Sequence, residues 1–323
     1  MKKITISIMM IIILSMAMTG CGKSDEEKVT FVLDWTPNTN HTGVYVALEN
    51  GYFADAGLDV EIIQPADGTA EQLVASGTAQ FGISYQENVT FARAQGMPLV
   101  SLAAVIQHNT SGFMSFKEEG ITSPLDFAGK KYGGWGTDVE TATVRHLIET
   151  SGGDPGSVDI VTMGSADFFA AADAGEIDFA WVFEGWTLME ARIRGLEVNY
   201  FAMIEYSDIF DYYTPVIITS EDAIEKNDDM VGRFMKAVAK GYEFSIANPQ
   251  EAAAILLKHA PELNADLVLK SQEFLAGKYT DDADYWGMQK TLVWETYAEW
   301  LLENGFIEEM INVEEAFTNA YLQ

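Results

Sequence analysis

Short apolar runs rich in β-branched residues alternate along the chain with segments of helical spacing. In the first third of the chain these runs predict strands at 29–33, 60–63, 81–84 and 99–105. Gly51 and Gly77 stand where the intervening helices should end, because glycine readily adopts the left-handed conformation found after helices. Alternating strands and helices predict an α/β fold with a mostly parallel sheet and helices on both faces.

The pattern begins again near residues 115–116. Further strands are predicted at 130–133 and 179–182, and a β-branched run at 216–218 is interpreted as a return crossing. A chain of 323 residues is long enough to form two lobes. We expect two crossings to join two lobes, with lobe 1 comprising 29–115 plus 215–323 and lobe 2 comprising 116–214.

The two halves share a repeated unit. Gly77 is followed four residues later by Phe81, and Gly175 is followed four residues later by Phe179. In both places a helix, a glycine turn and a buried strand ending in aromatic and acidic residues follow one another. We interpret this as a structural echo between the lobes, although any α/β chain offers such coincidences.

The C-terminal third is predicted to be helical and to wrap around the outside of lobe 1. Phe234, Val238 and Tyr242 share one helical face at a spacing of four. Three tryptophans recur at helical intervals further on, and we expect them in the core and not against a ligand: Trp286, Trp294 and Trp300.

Residues 1–20 have the features of a lipoprotein signal peptide. Lys2 and Lys3 precede an apolar stretch too short for a permanent membrane span. The stretch ends in Met-Thr-Gly-Cys, which resembles a bacterial lipobox and implies a lipid on Cys21, the only cysteine. Residues 21–28 would then tether the fold to the extracytoplasmic face of the cell membrane. The alternative is an ordinary secretory signal with an incidental cysteine. A lone cysteine excludes an internal disulfide.

The chain is strongly acidic, with a formal net charge of -30. Such a surface repels nucleic acid and anionic lipid head groups, so neither is expected as a partner. The charge argues more weakly against an anionic substrate.

The residues that follow the predicted strands are the binding candidates, because ligands of open α/β sheets lie beyond the carboxyl ends of strands. Four strand ends stand out, two in each lobe, and each lobe supplies aromatic rings together with hydrogen-bonding groups. Rings stack on flat heterocycles, and carboxylates accept hydrogen bonds from amino groups. The candidates are Asp34, Trp35, Asn38, His41, Tyr85, Gly134, Trp135, Glu184 and Trp186, with Tyr213 at the return crossing.

The candidates of lobe 1 have structural alternatives. Asp34 and Asn38 could cap the helix that begins near residue 42. His41 is better explained as a turn or capping residue than as a ligand contact. Tyr85 could belong to the core.

The candidates of lobe 2 are more specific to binding. Glycines on both sides of Trp135 would let a ligand approach the backbone closely. Glu184 ends a very apolar strand, so its carboxylate must find a partner. Thr137 and Glu140 have the spacing of a capping box, which predicts that Glu140 bonds back to the start of its helix.

Signatures of common catalytic sites are absent from the sequence. It contains no nucleophile elbow, no glycine-rich phosphate loop and no Cys/His metal spacing. Its four histidines are scattered. We therefore expect a binding protein, not an enzyme, with no metal and no cofactor.

Taken together, these motifs resemble one family. The lipobox is followed by Leu-Asp-Trp-Thr-Pro-Asn-Thr-Asn-His-Thr-Gly from residue 33, Leu-Asp-Phe-Ala-Gly-Lys-Lys at 125–131 and Phe-Glu-Gly-Trp at 183–186. The pattern is similar to the ABC-transporter substrate-binding lipoproteins related to thiamine-pyrimidine synthesis proteins, and it covers residues 29–320.

This resemblance implies a two-lobed periplasmic binding protein type II fold that acts as a monomer with ABC permease subunits. It implies an aminopyrimidine ligand, a formylated or hydroxymethyl precursor of thiamine. The alternative ligand is another flat heteroaromatic such as riboflavin, which relatives of this branch bind. Fungal relatives that form the pyrimidine use an active-site histidine as substrate, and His41 lies in the matching stretch. They also carry a cysteine-rich motif that this chain lacks, so the resemblance favours binding over pyrimidine formation.

Overall fold

Two five-stranded sheets, each covered by helices, make up the protein. The computed structural model describes residues 26–65, 69–164 and 166–322, so the signal peptide and Cys21 lie outside the described residues. The α/β prediction is confirmed. None of the helices within the described ranges is long and apolar enough to cross a membrane.

The first sheet has the strand order β2-β1-β3-β10-β4. Strands β1 and β2 are parallel, as are β1 and β3, whereas β10 is antiparallel to both of its neighbours. The strands are β1 Glu27–Val32, β2 Leu58–Ile63, β3 Phe81–Ser84, β4 Leu99–Ala104 and β10 Val216–Ser220.

The second sheet repeats this plan in the order β7-β6-β8-β5-β9, with β5 as the antiparallel strand. Strands β3 and β8 occupy the same place, beside the antiparallel strand, which confirms the structural echo. The strands are β5 Ser111–Phe116, β6 Lys131–Gly134, β7 Asp159–Thr162, β8 Phe179–Phe183 and β9 Val198–Ala202.

Helices fill the intervals and form the C-terminal part. They are α1 Thr42–Glu49, α2 Tyr52–Asp55, α3 Ala70–Ala75, α4 Gln86–Ala94, α5 Asp138–Thr150, α6 Phe168–Asp173, α7 Met189–Ile193, α8 Glu221–Ala247, α9 Pro249–His259, α10 Ala265–Ala276, α11 Thr291–Glu303 and α12 Val313–Ala316. Short turns of other helix types precede two of them, at Thr39–His41 and Glu184–Leu188.

The expected lobe boundary at 115/116 does not coincide with the sheets. Strand β5 begins at Ser111 and pairs with β8 and β9, so it belongs to the second sheet. We propose that the first crossing lies at 105–110 instead. The sequence pattern missed β5 because small residues replace β-branched ones in it. A Cβ on Gly112 would lie 2.2 Å from the carbonyl oxygen of Phe201, so the close pairing with β9 requires glycine.

The C-terminal helices pack on lobe 1 and also reach lobe 2. On α8, Phe234 stacks on Phe81 of β3 at 3.8 Å between ring centroids. Along α11, Trp294 is buried in a lobe 1 cluster, whereas Trp300 is buried with the core of the second sheet. The C-terminal helices therefore pack against both lobes, whereas the sequence predicted contact with lobe 1 alone. The core placement of all three tryptophans is confirmed, since Trp286 is also 4% exposed.

Helices α1 and α8 approach so closely that they meet at glycines. A Cβ on Gly241 would lie 1.9 Å from the carbonyl oxygen of Gly43, and a Cβ on Gly43 would lie 2.3 Å from the ring of Tyr242. Helix α1, which follows β1, is thus held directly against α8, the longest of the described helices.

Replacing Gly241 by alanine should therefore destabilise the protein. We expect Gly241→Ala to lower the free energy of unfolding in urea by about 1–3 kcal/mol, because the two backbones must separate. The matched control is Gly232→Ala on the same helix, where the nearest atom would be 3.8 Å away. That change should be neutral or stabilising by up to about 1 kcal/mol. Equal effects of the two substitutions would contradict the close helix contact.

Candidate ligand-binding site

A cleft of about 670 Å³ lies between the two sheets, a volume typical of small-molecule sites. Residues from the strand ends of both lobes line it, and residues of the two crossings, such as Ile106 and Tyr212, form its floor. The prediction that ligands lie beyond the strand ends agrees with this position.

The lobe 1 wall is organised by Asp34, which follows β1. Its Oδ1 accepts a hydrogen bond from His41 Nε2 at 2.7 Å, and its Oδ2 accepts one from the Tyr85 hydroxyl. The backbone N–H of Asn38 donates to His41 Nδ1 at 3.2 Å, which places the ring proton on Nε2, facing Asp34. Asn38 also caps the short turn at Thr39–His41.

This network keeps Asp34 ionised. Burial alone would raise the pKa of Asp34, but the adjacent His41 imidazole and the Tyr85 hydroxyl outweigh it and hold the pKa below its ordinary value. Burial and the charge of Asp34 together raise the pKa of Tyr85 well above its ordinary value. The Tyr85 hydroxyl is therefore a permanent donor to the carboxylate at the edge of the cleft.

The lobe 2 wall is organised by Glu140 of α5. Its Oε1 accepts hydrogen bonds from the Tyr132 hydroxyl at 2.6 Å and the backbone N–H of Trp135 at 3.1 Å. Its Oε2 accepts one from the backbone N–H of Gly136 at 3.0 Å. Only half of the predicted capping box forms. The Thr137 hydroxyl accepts from the backbone N–H of Glu140, as predicted, but the Glu140 carboxylate does not bond back to Thr137. The carboxylate instead binds the backbone of the glycine-flanked loop.

The loop needs its glycines because the carboxylate occupies the space next to it. A Cβ on Gly134 would lie 2.8 Å from Glu140 Oε1, and Gly136 has a φ of +97°. The result is that Trp135 projects outward, 46% exposed, in an edge-to-face contact with Trp181 at 5.8 Å between centroids. Trp35 of lobe 1 also lines the cleft and is 59% exposed. Each lobe thus offers an exposed indole to a flat ligand.

The cleft is acidic. No lysine or arginine is found among the described residues that line it, and five carboxyl groups are: Asp34, Glu87, Glu140, Asp167 and Glu190. Across the described part of the chain, no three His, Cys, Asp or Glu side chains are grouped closely enough to hold a metal ion. The lining therefore offers hydrogen-bond acceptors and negative charge.

The structure brings seven of the ten predicted residues together. The residues that line the cleft are Asp34, Trp35, Asn38, Tyr85, Gly134, Trp135 and Trp186. His41 is fully buried beneath Asp34 and does not line the cleft. Tyr213 is buried behind the floor, where its hydroxyl accepts from the backbone N–H of Lys290 at 2.9 Å. Glu184 lies outside the lining, paired with Arg192 at 3.4 Å.

The placement of Glu184 has a local cause. The chain turns through the wide helical turn Glu184–Leu188 directly after β8. This turn directs Gly185 and Trp186 to the cleft and leaves the Glu184 carboxylate beside α7. Sequence reasoning located the strand end but not the sense of the turn.

Several lining residues escaped the sequence analysis as binding candidates. Glu87 follows Tyr85 at the same strand end, but nothing distinguished it among so many carboxylates. Trp181 lies within the predicted strand 179–182 and not beyond its end, and Tyr212 was assigned no role. Glu140 was explained by capping. Only the position of Glu87, two residues past a chosen candidate, offered a usable signal.

The buried network predicts a structural role for His41. We expect His41→Ala to lower the free energy of unfolding in urea by about 1–3 kcal/mol, because it removes a donor from a buried carboxylate. The control is His259→Ala, whose ring pairs with the surface residue Glu49 at 3.0 Å. That change should cost at most about 1 kcal/mol. A His41→Ala protein as stable as the wild type would contradict the assigned role.

Comparison with known proteins identifies the family. The model of the NMT1/THI5-like family matches residues 38–252. The formylaminopyrimidine-binding protein of Halalkalibacterium halodurans is 32% identical over 98% of both chains. A 4-amino-5-hydroxymethyl-2-methylpyrimidine phosphate synthase of Saccharomyces cerevisiae is 26% identical over 76% of this chain and 75% of the yeast protein.

A solved structure supports the same fold. The periplasmic aliphatic sulphonate binding protein of Escherichia coli superimposes with a TM-score of 0.71 at 13% identity, covering 92% of this chain and 99% of that chain. The two-lobed type II periplasmic binding fold implied by the sequence motifs is therefore confirmed, as is the resemblance itself. The chain belongs to the NMT1/THI5-like family.

Proposed function

We propose that this protein is the extracytoplasmic binding protein of an ABC importer and that it captures a pyrimidine precursor of thiamine of the formylaminopyrimidine class. The similarity to a formylaminopyrimidine-binding protein over 98% of the chain supports this assignment. The two-lobed fold supports it too, because a ligand bound between lobes can close them and present a distinct form to a permease.

The observation that carries the proposal is the chemistry of the cleft. Exposed Trp35 and Trp135 provide one stacking surface in each lobe. Carboxylates line the space between them, and they are acceptors for the amino group of an aminopyrimidine. A flat, amine-bearing ligand without negative charge fits this lining.

The same chemistry disfavours phosphate and sulfonate ligands. These need basic side chains or clusters of free N–H donors, and the described lining contains no lysine or arginine. A pyrimidine phosphate, the product named for the yeast relative, would face like charges. His41, which lies in the stretch that resembles the fungal enzymes, is 0% exposed and is held by Asp34. We therefore propose a binding protein and not a pyrimidine-forming enzyme.

Location and partners are part of the proposal. Residues 1–20 would be removed as a signal peptide, and Cys21 would carry the lipid anchor at the outer face of the membrane. The protein would act as a monomer with permease subunits as its partners.

Calorimetric titration of the chain from residue 22 onward, which contains every described residue, tests the ligand. We expect formylaminopyrimidine and 4-amino-5-hydroxymethyl-2-methylpyrimidine to bind, and the phosphate ester of the latter to bind roughly 100-fold more weakly or not at all. Trp135→Ala should weaken binding by about 1–3 kcal/mol through lost stacking. Leu292→Ala, at an exposed apolar residue outside the cleft, is the control. Binding of riboflavin or a sulfonate in place of aminopyrimidines would overturn the assignment.

The anchor is tested by Cys21→Ser. We expect the wild-type chain in the membrane fraction with incorporated fatty acid, because two acyl chains give stable membrane attachment. The Cys21→Ser chain should lose the label and should no longer be retained by a lipid anchor. Incorporation of fatty acid that persists in the variant would contradict lipidation at Cys21.

A further inference from the structure

One cleft carboxyl group, Glu87, is held differently from the others. It lies in the first turn of α4 and faces the floor of the cleft. The Tyr297 hydroxyl of α11 donates to its Oε2 at 3.1 Å. The ring of Tyr212, in the second crossing, lies against that of Tyr297 at 4.3 Å between centroids and a tilt of 30°, and both tyrosines are buried. Glu87 is thus enclosed from behind by lobe 1 and the crossing.

Glu140, on the lobe 2 wall, lines the same cleft. All three of its hydrogen bonds come from donors, the Tyr132 hydroxyl and the N–H groups of Trp135 and Gly136. These donors hold the carboxylate in place on the lobe 2 wall. Lobe 2 therefore presents a second carboxyl group towards Glu87.

The other groups around Glu87 provide no compensating cation. Tyr85 on the same strand end is committed to Asp34, and Glu71 of α3 accepts from Asn88 at 3.0 Å. The one arginine of α4, Arg93, pairs with Glu221 at 2.8 Å and Glu315 at 3.0 Å. Among the charged side chains of the described lining, all are carboxyl groups.

These surroundings disfavour an ionised Glu87. Burial raises its pKa, the Tyr297 hydroxyl opposes this rise, and the charge of Glu140 adds to it, so that the pKa lies above its ordinary value. The first turn of a helix favours a carboxylate, but this contribution does not reverse the balance.

We propose that Glu87 couples ligand binding to protonation: closure of the cleft on a neutral aminopyrimidine transfers one proton from solution to the Glu87 carboxylate. Closure excludes water and brings the Glu140 carboxyl group of lobe 2 towards Glu87 of lobe 1, which makes a buried anion at Glu87 unfavourable. The neutral acid is also a donor, which suits a ligand whose ring nitrogens accept hydrogen bonds. The inference rests on the proposed function and identifies the protonation state in which the site accepts its ligand.

The proton is counted by calorimetry. Formylaminopyrimidine is titrated into the protein at about pH 8 in buffers of different ionisation enthalpy, and the slope of the observed enthalpy gives the protons taken up. We expect uptake approaching one proton per ligand for the wild type and close to none for Glu87→Gln. Above the pKa of the free protein, the wild-type affinity should fall about tenfold per pH unit.

Two further variants separate this role from a structural one. Tyr297→Phe removes a donor to the carboxylate and should extend tight binding to higher pH, because the acid form of Glu87 is then favoured further. Glu71→Gln, at a buried carboxylate outside the cleft, should leave the proton count unchanged. Binding without uptake, or uptake that persists in Glu87→Gln, would overturn the inference while leaving the proposed function intact.

If no aminopyrimidine binds, the proposed function fails, and the ligand-free protein still tests Glu87. Its raised pKa means that ionisation costs stability as the pH rises above the ordinary value of 4.5. Glu87→Gln should therefore be more stable than the wild type in urea at about pH 8, with a difference that disappears in acid. A difference independent of pH would overturn the protonation of Glu87.

Discussion

Each lobe must hold a buried carboxylate at the carboxyl end of a strand, and the walls of the cleft depend on how this is done. A buried charge is tolerated only when hydrogen-bond donors surround it. Asp34 takes its donors from His41 and Tyr85, which ties the turn after β1 to the end of β3. Glu140 takes backbone donors from residues 135 and 136, which shapes the loop after β6. The exposed indoles at both walls follow from these two anchors.

Much of this fold was predictable because it follows local rules. The β-branched runs gave most strands, and the glycine turns before Phe81 and Phe179 gave the echo that the two sheets confirm. Strand β5 was missed because it contains glycine and serine, which have low β propensity. Its glycine is needed for close pairing with the neighbouring strand. Strand ends located seven lining residues, because the ends of parallel strands meet by topology.

The failures at the site concern side-chain direction, which sequence does not determine. Glu184 and Trp186 are close in sequence. Only the geometry of the turn after β8 places Trp186 in the cleft and Glu184 beside Arg192. His41 and Asp34 were both candidates for ligand contact, yet His41 is buried beneath Asp34 and holds its carboxylate through a hydrogen bond. Thr137 and Glu140 have the spacing of a capping box, but the Glu140 carboxylate binds the Tyr132 hydroxyl and the backbone N–H of Trp135 instead. Fold similarity alone could not resolve this either, since the sulphonate-binding neighbour shares the architecture at 13% identity. The side chains of the cleft decide the ligand.

A histidine and two aspartates hold the two crossings together. Asp211 of the second crossing accepts from His108 Nδ1 at 2.6 Å and from the backbone N–H of Asn109 at 2.9 Å, and Asp282 pairs with His108 Nε2 at 3.0 Å. The hydrogen bond to Asp211 is the main cause that raises the pKa of His108 from 6.5 to about 9. Because this pKa is raised, the stabilisation is complete below 6.5 and is lost only as the pH approaches about 9. The pKa of Glu87 in the cleft is raised above its ordinary value of 4.5. At a pH below 6.5 the crossings keep their ion pairs, so a pH-dependent affinity in that range originates in the cleft and not in the hinge.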